Sequence, residues 1–161
     1  MKITFISVGV VKKRSLREGA EDYIKRIGRH MDASLKEIRV PAFSPKAPVE
    51  DALRKEAALA LKGVSRGDFL VALSERGREF STAEFTGLMR DAMGGSGRLS
   101  GKKGLSFMVG GAYGFHGSVL DRADLVMSLS RMTFPHEIAL LLMAEQVYRA
   151  FTIIKGEPYH K

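Results

Sequence analysis

Short apolar runs rich in β-branched and aromatic residues alternate along the chain with longer segments whose apolar positions recur every three to four residues. That alternation predicts βαβ units and a mostly parallel sheet flanked by helices, an α/β fold. The strand-like runs span residues 2–10, 35–41, 68–73, 105–109 and 125–129. Residues 15–30 set Leu16, Ala20, Tyr23, Ile24 and Ile27 at helical spacing, with Lys25, Arg26 and Arg29 on a solvated face. A second helix is expected over 48–62, with a proline at its start, acids in its first turn and Gly63 beyond its end. Ser81-Thr-Ala-Glu84 has the spacing of a capping box and predicts a third helix ending near Gly94. The last helix, over 135–154, is apolar on nearly every side, since Ile138, Leu140, Leu141, Leu142, Met143, Val147, Phe151, Ile153 and Ile154 cannot share one stripe. Such a helix needs cover on two sides. The sheet supplies one, and either a deeply buried position or a second copy of the chain supplies the other, a homodimer being the simpler cover.

Composition narrows the picture. At 161 residues and 45% hydrophobic content the chain suits one core, so a single domain over residues 1–161 is expected. Residues 94–104 hold five glycines and read as a flexible surface loop. Lys and Arg outnumber Asp and Glu by 26 to 18, and the net charge of +8 favours a polyanionic partner, although an ordinary basic enzyme carries as much. No run reaches the roughly 20 apolar residues of a membrane span, so no membrane association is expected. The first strand-like run lacks a leader's cleavage site and meets Lys12-Lys13-Arg14 at once, and a cytoplasmic location follows as the expectation. With no cysteine, disulfide scaffolds, Cys-held zinc or iron–sulfur centres and Cys nucleophiles are excluded. No metal is expected.

Chemistry concentrates in the last third. Val109-Gly-Gly-Ala-Tyr-Gly114 is not the dinucleotide fingerprint, and no P-loop occurs. Its glycines let the backbone turn sharply and approach a ligand closely, or simply make a tight turn. Leu129-Ser-Arg-Met-Thr-Phe134 precedes Pro135-His136 at a helix start, where backbone N–H groups and short hydroxyls offer hydrogen bonds, and where Thr133 can also serve as a cap. Both loops follow strands, and ligands of open α/β sheets bind at the carboxyl ends of strands. Glu145-Gln-Val-Tyr-Arg149 and a terminal Tyr159-His160-Lys161 complete the set.

The order of these segments, over the whole chain and most closely over 107–161, resembles the RlmH family of SPOUT methyltransferases, which methylate N3 of a pseudouridine in bacterial 23S rRNA. The resemblance implies a C-terminal deep trefoil knot, which periodicity alone never suggests. It also implies S-adenosylmethionine as cofactor, held by Leu73, Gly110, Leu129, Ser130, Arg131, Met132, Thr133 and Phe134. By its own pattern Leu73 is a core strand residue. The absence of cysteine agrees with a heteroatom acceptor, because methylating a uracil carbon generally proceeds through a Cys adduct. An imide nitrogen becomes nucleophilic as its proton leaves, so a base or an anion-stabilising group is needed. His136, Arg149, Tyr159 and His160 are the catalytic candidates. His136 is either a base or a structural residue, and Arg149 either binds an anion or pairs with Glu145 at i,i+4. The tail is expected to order over the site, with Tyr159 stacking on or hydrogen-bonding to a base. Where the family commonly has an Arg four residues after the motif His, this chain has Leu140. The partners implied are the ribosome and a second subunit. Two alternatives remain open: a related knotted enzyme acting on another RNA atom, and a non-catalytic RNA-binding or ribosome-assembly protein.

Overall fold

In the computed structural model, residues 1–41 and 48–159 are described. Five strands, β1 (Lys2–Val8), β2 (Ala33–Ile38), β3 (Asp68–Glu79), β4 (Gly104–Val109) and β5 (Leu125–Ser128), interleave with α1 (Arg14–Ile27), α2 (Val49–Gly63), α3 (Thr82–Gly94), α4 (Gly117–Arg122) and α5 (His136–Lys155). The strands form one sheet in the order β2-β1-β4-β3-β5, every pairing parallel. Helices cover both faces, which is why the strands read as near-continuous apolar runs and why β4 is buried at every position. Strand alternation divides the core accordingly. Ile3, Phe5, Phe107 and Val71 pack with α1, α3 and α5 on one face, while Ile6, Val8, Met108 and Ala72 pack with α2 and Val119 of α4 on the other.

The predicted helices are present within a residue or two of their expected ends, except that α1 stops at Ile27, three residues before the expected end at His30. At α3 the capping box forms as spelled: the Ser81 hydroxyl accepts from the Glu84 backbone N–H at 3.2 Å, and the Ser81 backbone N–H donates to the Glu84 carboxylate at 2.8 Å. Two local features differ from expectation. Residues 94–104 form an ordered turn, with a 3₁₀ segment at Gly97–Leu99. Leu99 is fully buried and the Lys103 N–H donates to the Gly67 carbonyl at 3.0 Å, so one core contact offsets the entropy of the glycines.

The third strand is also longer than its apolar run. Leu73 lies opposite Met127, the chain then bulges, and Arg78 and Glu79 rejoin β5 opposite Met127 and Ser128. Residues 74–79 carry four charges and no apolar alternation, so pairing alone makes them a strand. Gly77 lies so close to Met127 that an added Cβ would sit 2.6 Å from its carbonyl carbon.

On α5, Leu140, Met143, Val147 and Phe151 are buried, while Ile138, Leu142 and Ile153 are only half-buried. Leu140, four residues after His136, has no solvent exposure and belongs to the core. Among the described residues no helix is long and apolar enough to cross a membrane.

Candidate active site

Because β4, β3 and β5 are parallel neighbours, their outgoing loops share one edge of the sheet, and α5 begins there. Between them lies a cleft of about 650 Å³, counting its open mouth. The end of β3 contributes Leu73, Ser74 and Glu75. The loop after β4 contributes Gly110, Gly111, Ala112 and Gly114, and the loop after β5 contributes Leu129, Ser130, Met132, Thr133 and Phe134. His136 and Ala139 of α5 complete the wall.

The glycine turn closes on itself. The Gly114 N–H donates to the Gly111 carbonyl at 3.1 Å, and Gly114 sits at φ +75°, a conformation that side chains disfavour. A Cβ on Gly110 would lie 3.1 Å from the Phe115 ring and 3.3 Å from the Gly114 carbonyl. Behind the turn stands Glu56 of α2, only 7% exposed and without an ion pair among the described residues. Its carboxylate oxygen is 3.2 Å from where a Gly111 Cβ would be. Burial pushes the Glu56 carboxyl above the usual carboxylate range, and the backbone N–H of Gly111 partly opposes that rise.

Serine hydroxyls shape the loop after β5. The Ser128 hydroxyl donates to the Ser130 carbonyl at 2.8 Å and accepts from the Ser130 N–H at 3.2 Å, and the Ser130 hydroxyl accepts from the Met132 N–H at 3.0 Å. These side chains are spent on their own backbone, which is how short polar residues hold irregular loops. Thr133 does not cap α5; the capping position is Pro135, with no side-chain bond. His136, the first residue of α5, carries a buried Nε2 that has no hydrogen-bond partner among the described residues. Such an atom is rare in a folded protein, and beside a cleft it marks a position awaiting a partner.

Of the residues singled out for the cofactor, Leu73, Gly110, Leu129, Ser130, Met132, Thr133 and Phe134 all line this cleft. Arg131 does not: its side chain is 87% exposed and reaches Glu79 at 3.7 Å on the rim. The catalytic candidates divide. His136 is in the cleft, whereas Arg149 lies nearly four turns further along α5, roughly 20 Å away at 1.5 Å per residue. There Arg149 is bound to the Glu145 carboxylate at 2.6 Å and lies over the Tyr159 ring at 5.1 Å. The Tyr159 hydroxyl donates to Glu145 at 3.2 Å and meets the Tyr23 hydroxyl at 3.2 Å, and its ring packs edge-on against Tyr148. Burial, the Tyr23 hydrogen bond and the Glu145 charge hold the Tyr159 phenol well above its ordinary range. His160 and Lys161 lie outside the described residues.

Glu56 is the site residue that motif reading misses. Its signal is an acid at i, i+1 and i+4 with Ala57 and Ala60 on the buried face of α2, where an apolar residue is the rule. Among the described residues no group of three His, Cys, Asp or Glu side chains could hold a metal ion.

A family model described as "Predicted SPOUT methyltransferase" matches residues 1–160. The chain is 37% identical to "Ribosomal RNA large subunit methyltransferase H" of Carboxydothermus hydrogenoformans, over the full length of both. It is 38% identical to the protein of the same name from Desulforamulus reducens, over 100% of this chain and 99% of that one, and 35% identical to that of Streptococcus suis, again over both full lengths. Its fold is similar to that of a probable methyltransferase from Bordetella pertussis Tohama I, with a TM-score of 0.54, 15% identity, and coverage of 92% of this chain and 93% of the other.

Proposed function

The chain belongs to the SPOUT methyltransferase family, and on that footing we propose that it transfers a methyl group from S-adenosylmethionine to N3 of a pseudouridine in 23S rRNA, on the assembled ribosome and as a homodimer. Methylation of large-subunit rRNA follows from the full-length relatives. The cofactor and the acceptor atom are the finer reading.

The cleft suits that cofactor. One wall is a turn whose glycines pack directly on Phe115 and Glu56 and so present backbone, another is a loop whose serines are already committed to backbone, and Leu73, Leu129 and Phe134 give it apolar surfaces. A ligand there meets backbone groups and apolar walls, the usual make-up of a small-molecule site. When bound, S-adenosylmethionine supplies a methyl carbon on a sulfonium. The protein's task is then to hold the acceptor nitrogen in line with it. The unpartnered Nε2 of His136, buried against Gly9 at the edge of the cleft that the residue lines, is the observation that carries the reading, because in its acceptor tautomer it would take the imide proton once substrate opens the site.

One chain does not bring Arg149 and Tyr159 to His136. A two-fold dimer packing Ile138, Leu142 and Ile153 against their copies would cover that strip and offer the tail of each protomer to the cleft of the other. Arg149, Tyr159 and His160 would then act across the interface on the base and its developing negative charge. The knot belongs to this reading as well, as an implication of the family.

Mass spectrometry of 23S rRNA from a deletion strain tests the reaction: one pseudouridine should lose a methyl group, wild-type protein should restore it, and His136→Ala should restore it at least about a hundredfold more slowly. Unchanged rRNA would refute the reading. Calorimetry showing no S-adenosylmethionine binding would favour the non-catalytic RNA-binding alternative.

A further inference from the structure

Among the described residues seven large hydrophobic side chains are exposed; Met132 and Phe134 of these line the cleft, and Tyr113 lies between Ala112 and Gly114, which line it too. Tyr113 is the one that does not line the cleft: its neighbours Ala112 and Gly114 do, while its own ring, 59% exposed, stands on the outer lip. The loop after β1 leaves the same end of the sheet from the neighbouring strand. Strands β1 and β4 are hydrogen-bonded neighbours, with Ser7 opposite Val109, so the two loops leave the sheet about 4.8 Å apart.

The loop after β1 carries Lys12 and Lys13, and it is tied to the cleft through its backbone. Glu137, the residue after His136, accepts from the Lys12 N–H at 2.6 Å and from the Lys13 N–H at 3.4 Å. Both lysines are exposed, and neither ammonium group forms an ion pair among the described residues. The neighbouring arginines are paired, Arg14 with Glu18 at 2.7 Å and Arg17 with Glu37 at 2.7 Å. A carboxylate of α5 thus anchors the loop without reaching its two cations.

We propose that Tyr113, Lys12 and Lys13 form an RNA-receiving lip, on which a base next to the target stacks against Tyr113 while the flanking phosphates meet the two lysines. This rests on the function proposed above and names the surface by which it engages its polynucleotide. An exposed aromatic ring beside unpaired cations is the pairing that single-stranded RNA selects, since every base has a π-face and every linkage a charge. The lip lies outside the cofactor cleft, so it adds substrate affinity and leaves the cofactor untouched.

The test uses full-length protein and ribosomal particles from a deletion strain. Tyr113→Ala and the double variant Lys12→Ala/Lys13→Ala should each weaken binding to the particles about tenfold, in filter binding without cofactor and in KM with it. Cofactor affinity by calorimetry and kcat should stay at wild-type values. Tyr113→Phe should restore binding, because stacking needs the ring and not the hydroxyl. The lysine variant should also flatten the salt dependence of binding by one to two in log–log slope, roughly one per phosphate contact. Particle binding equal to wild type in both variants overturns the proposal, as does dissociation of Tyr113→Ala into monomers by ultracentrifugation, which would make the ring a subunit contact. If the wild-type protein itself fails to methylate the particles, the underlying function falls; if it succeeds and the variants match it, only the lip does.

Discussion

Glu56 shows how much of the site turns on single residues. A buried carboxylate with no ion pair among the described residues is costly, and this one is placed where its oxygen faces the Gly111 amide behind the glycine turn. Its folded-state pKa is raised above the unfolded value, so it lowers stability at pH values above the raised pKa, and that burden is relieved as pH falls towards the ordinary carboxylate range. Glu56→Gln keeps an acceptor for Gly111 and removes the charge. Its Tm should exceed that of the wild type at pH 8, and calorimetry should find the two equal at pH 4. Glu56→Leu removes the acceptor too, leaves the Gly111 N–H unpaired at a cost of about 1–3 kcal/mol, and should weaken S-adenosylmethionine binding where Glu56→Gln does not. Nothing in a motif marks this residue. An acid among the alanines of α2 is its only trace, and the reason for it becomes visible once the glycine turn lies above it.

At the scale of elements, the reading from hydrophobic periodicity succeeds where burial dictates the pattern. The five strands and four longer helices lie where apolar spacing places them, because each must hide one or two faces. It fails for α4, six residues with little room for a period, and for the second half of β3, whose charged residues are strand only because β5 pairs with them. That crossing is tight. Gly77→Ala would set a methyl group 2.6 Å from the Met127 backbone, where neither segment can yield without breaking pairing. Denaturant unfolding should show a loss of at least about 2 kcal/mol, and the variant should bind cofactor poorly, since Leu73 and Leu129 stand at the ends of the paired segments. A Gly77→Ala protein as stable as the wild type would show that the two strands do not meet as described.

The whole molecule raises a question of reach. His136 and Arg149 share one helix and lie too far apart along it to touch one base, so the dimeric reading makes each active site from two chains. Mixing inactive His136→Ala protein with inactive Arg149→Ala protein, after exchange of subunits, should then restore about a quarter of wild-type activity, because half the dimers are mixed and each holds one intact site. No recovery, with exchange verified by mass, would put both residues to work within one chain or leave Arg149 structural. The ion pair of Arg149 with Glu145 was legible as i,i+4 spacing, and so was its rival role as an anion-binding group; the fold shows the first, and the second belongs to the dimeric reading.

By itself the chain's sequence determined the class of fold, the limits of most elements, the exclusion of thiol chemistry and, through motif order, the loops that line the cleft. These are local or pairwise matters: which face a side chain hides, which residue caps a turn, which atoms are absent. Only tertiary structure decided that Leu99 anchors a glycine-rich turn, that charged residues extend β3 along β5, that Glu56 backs the glycine turn, and that Arg149 and Tyr159 cluster away from His136. Each of those depends on which segments meet in space, and a one-dimensional pattern records a residue's need for burial or a partner without recording where in the chain that partner lies.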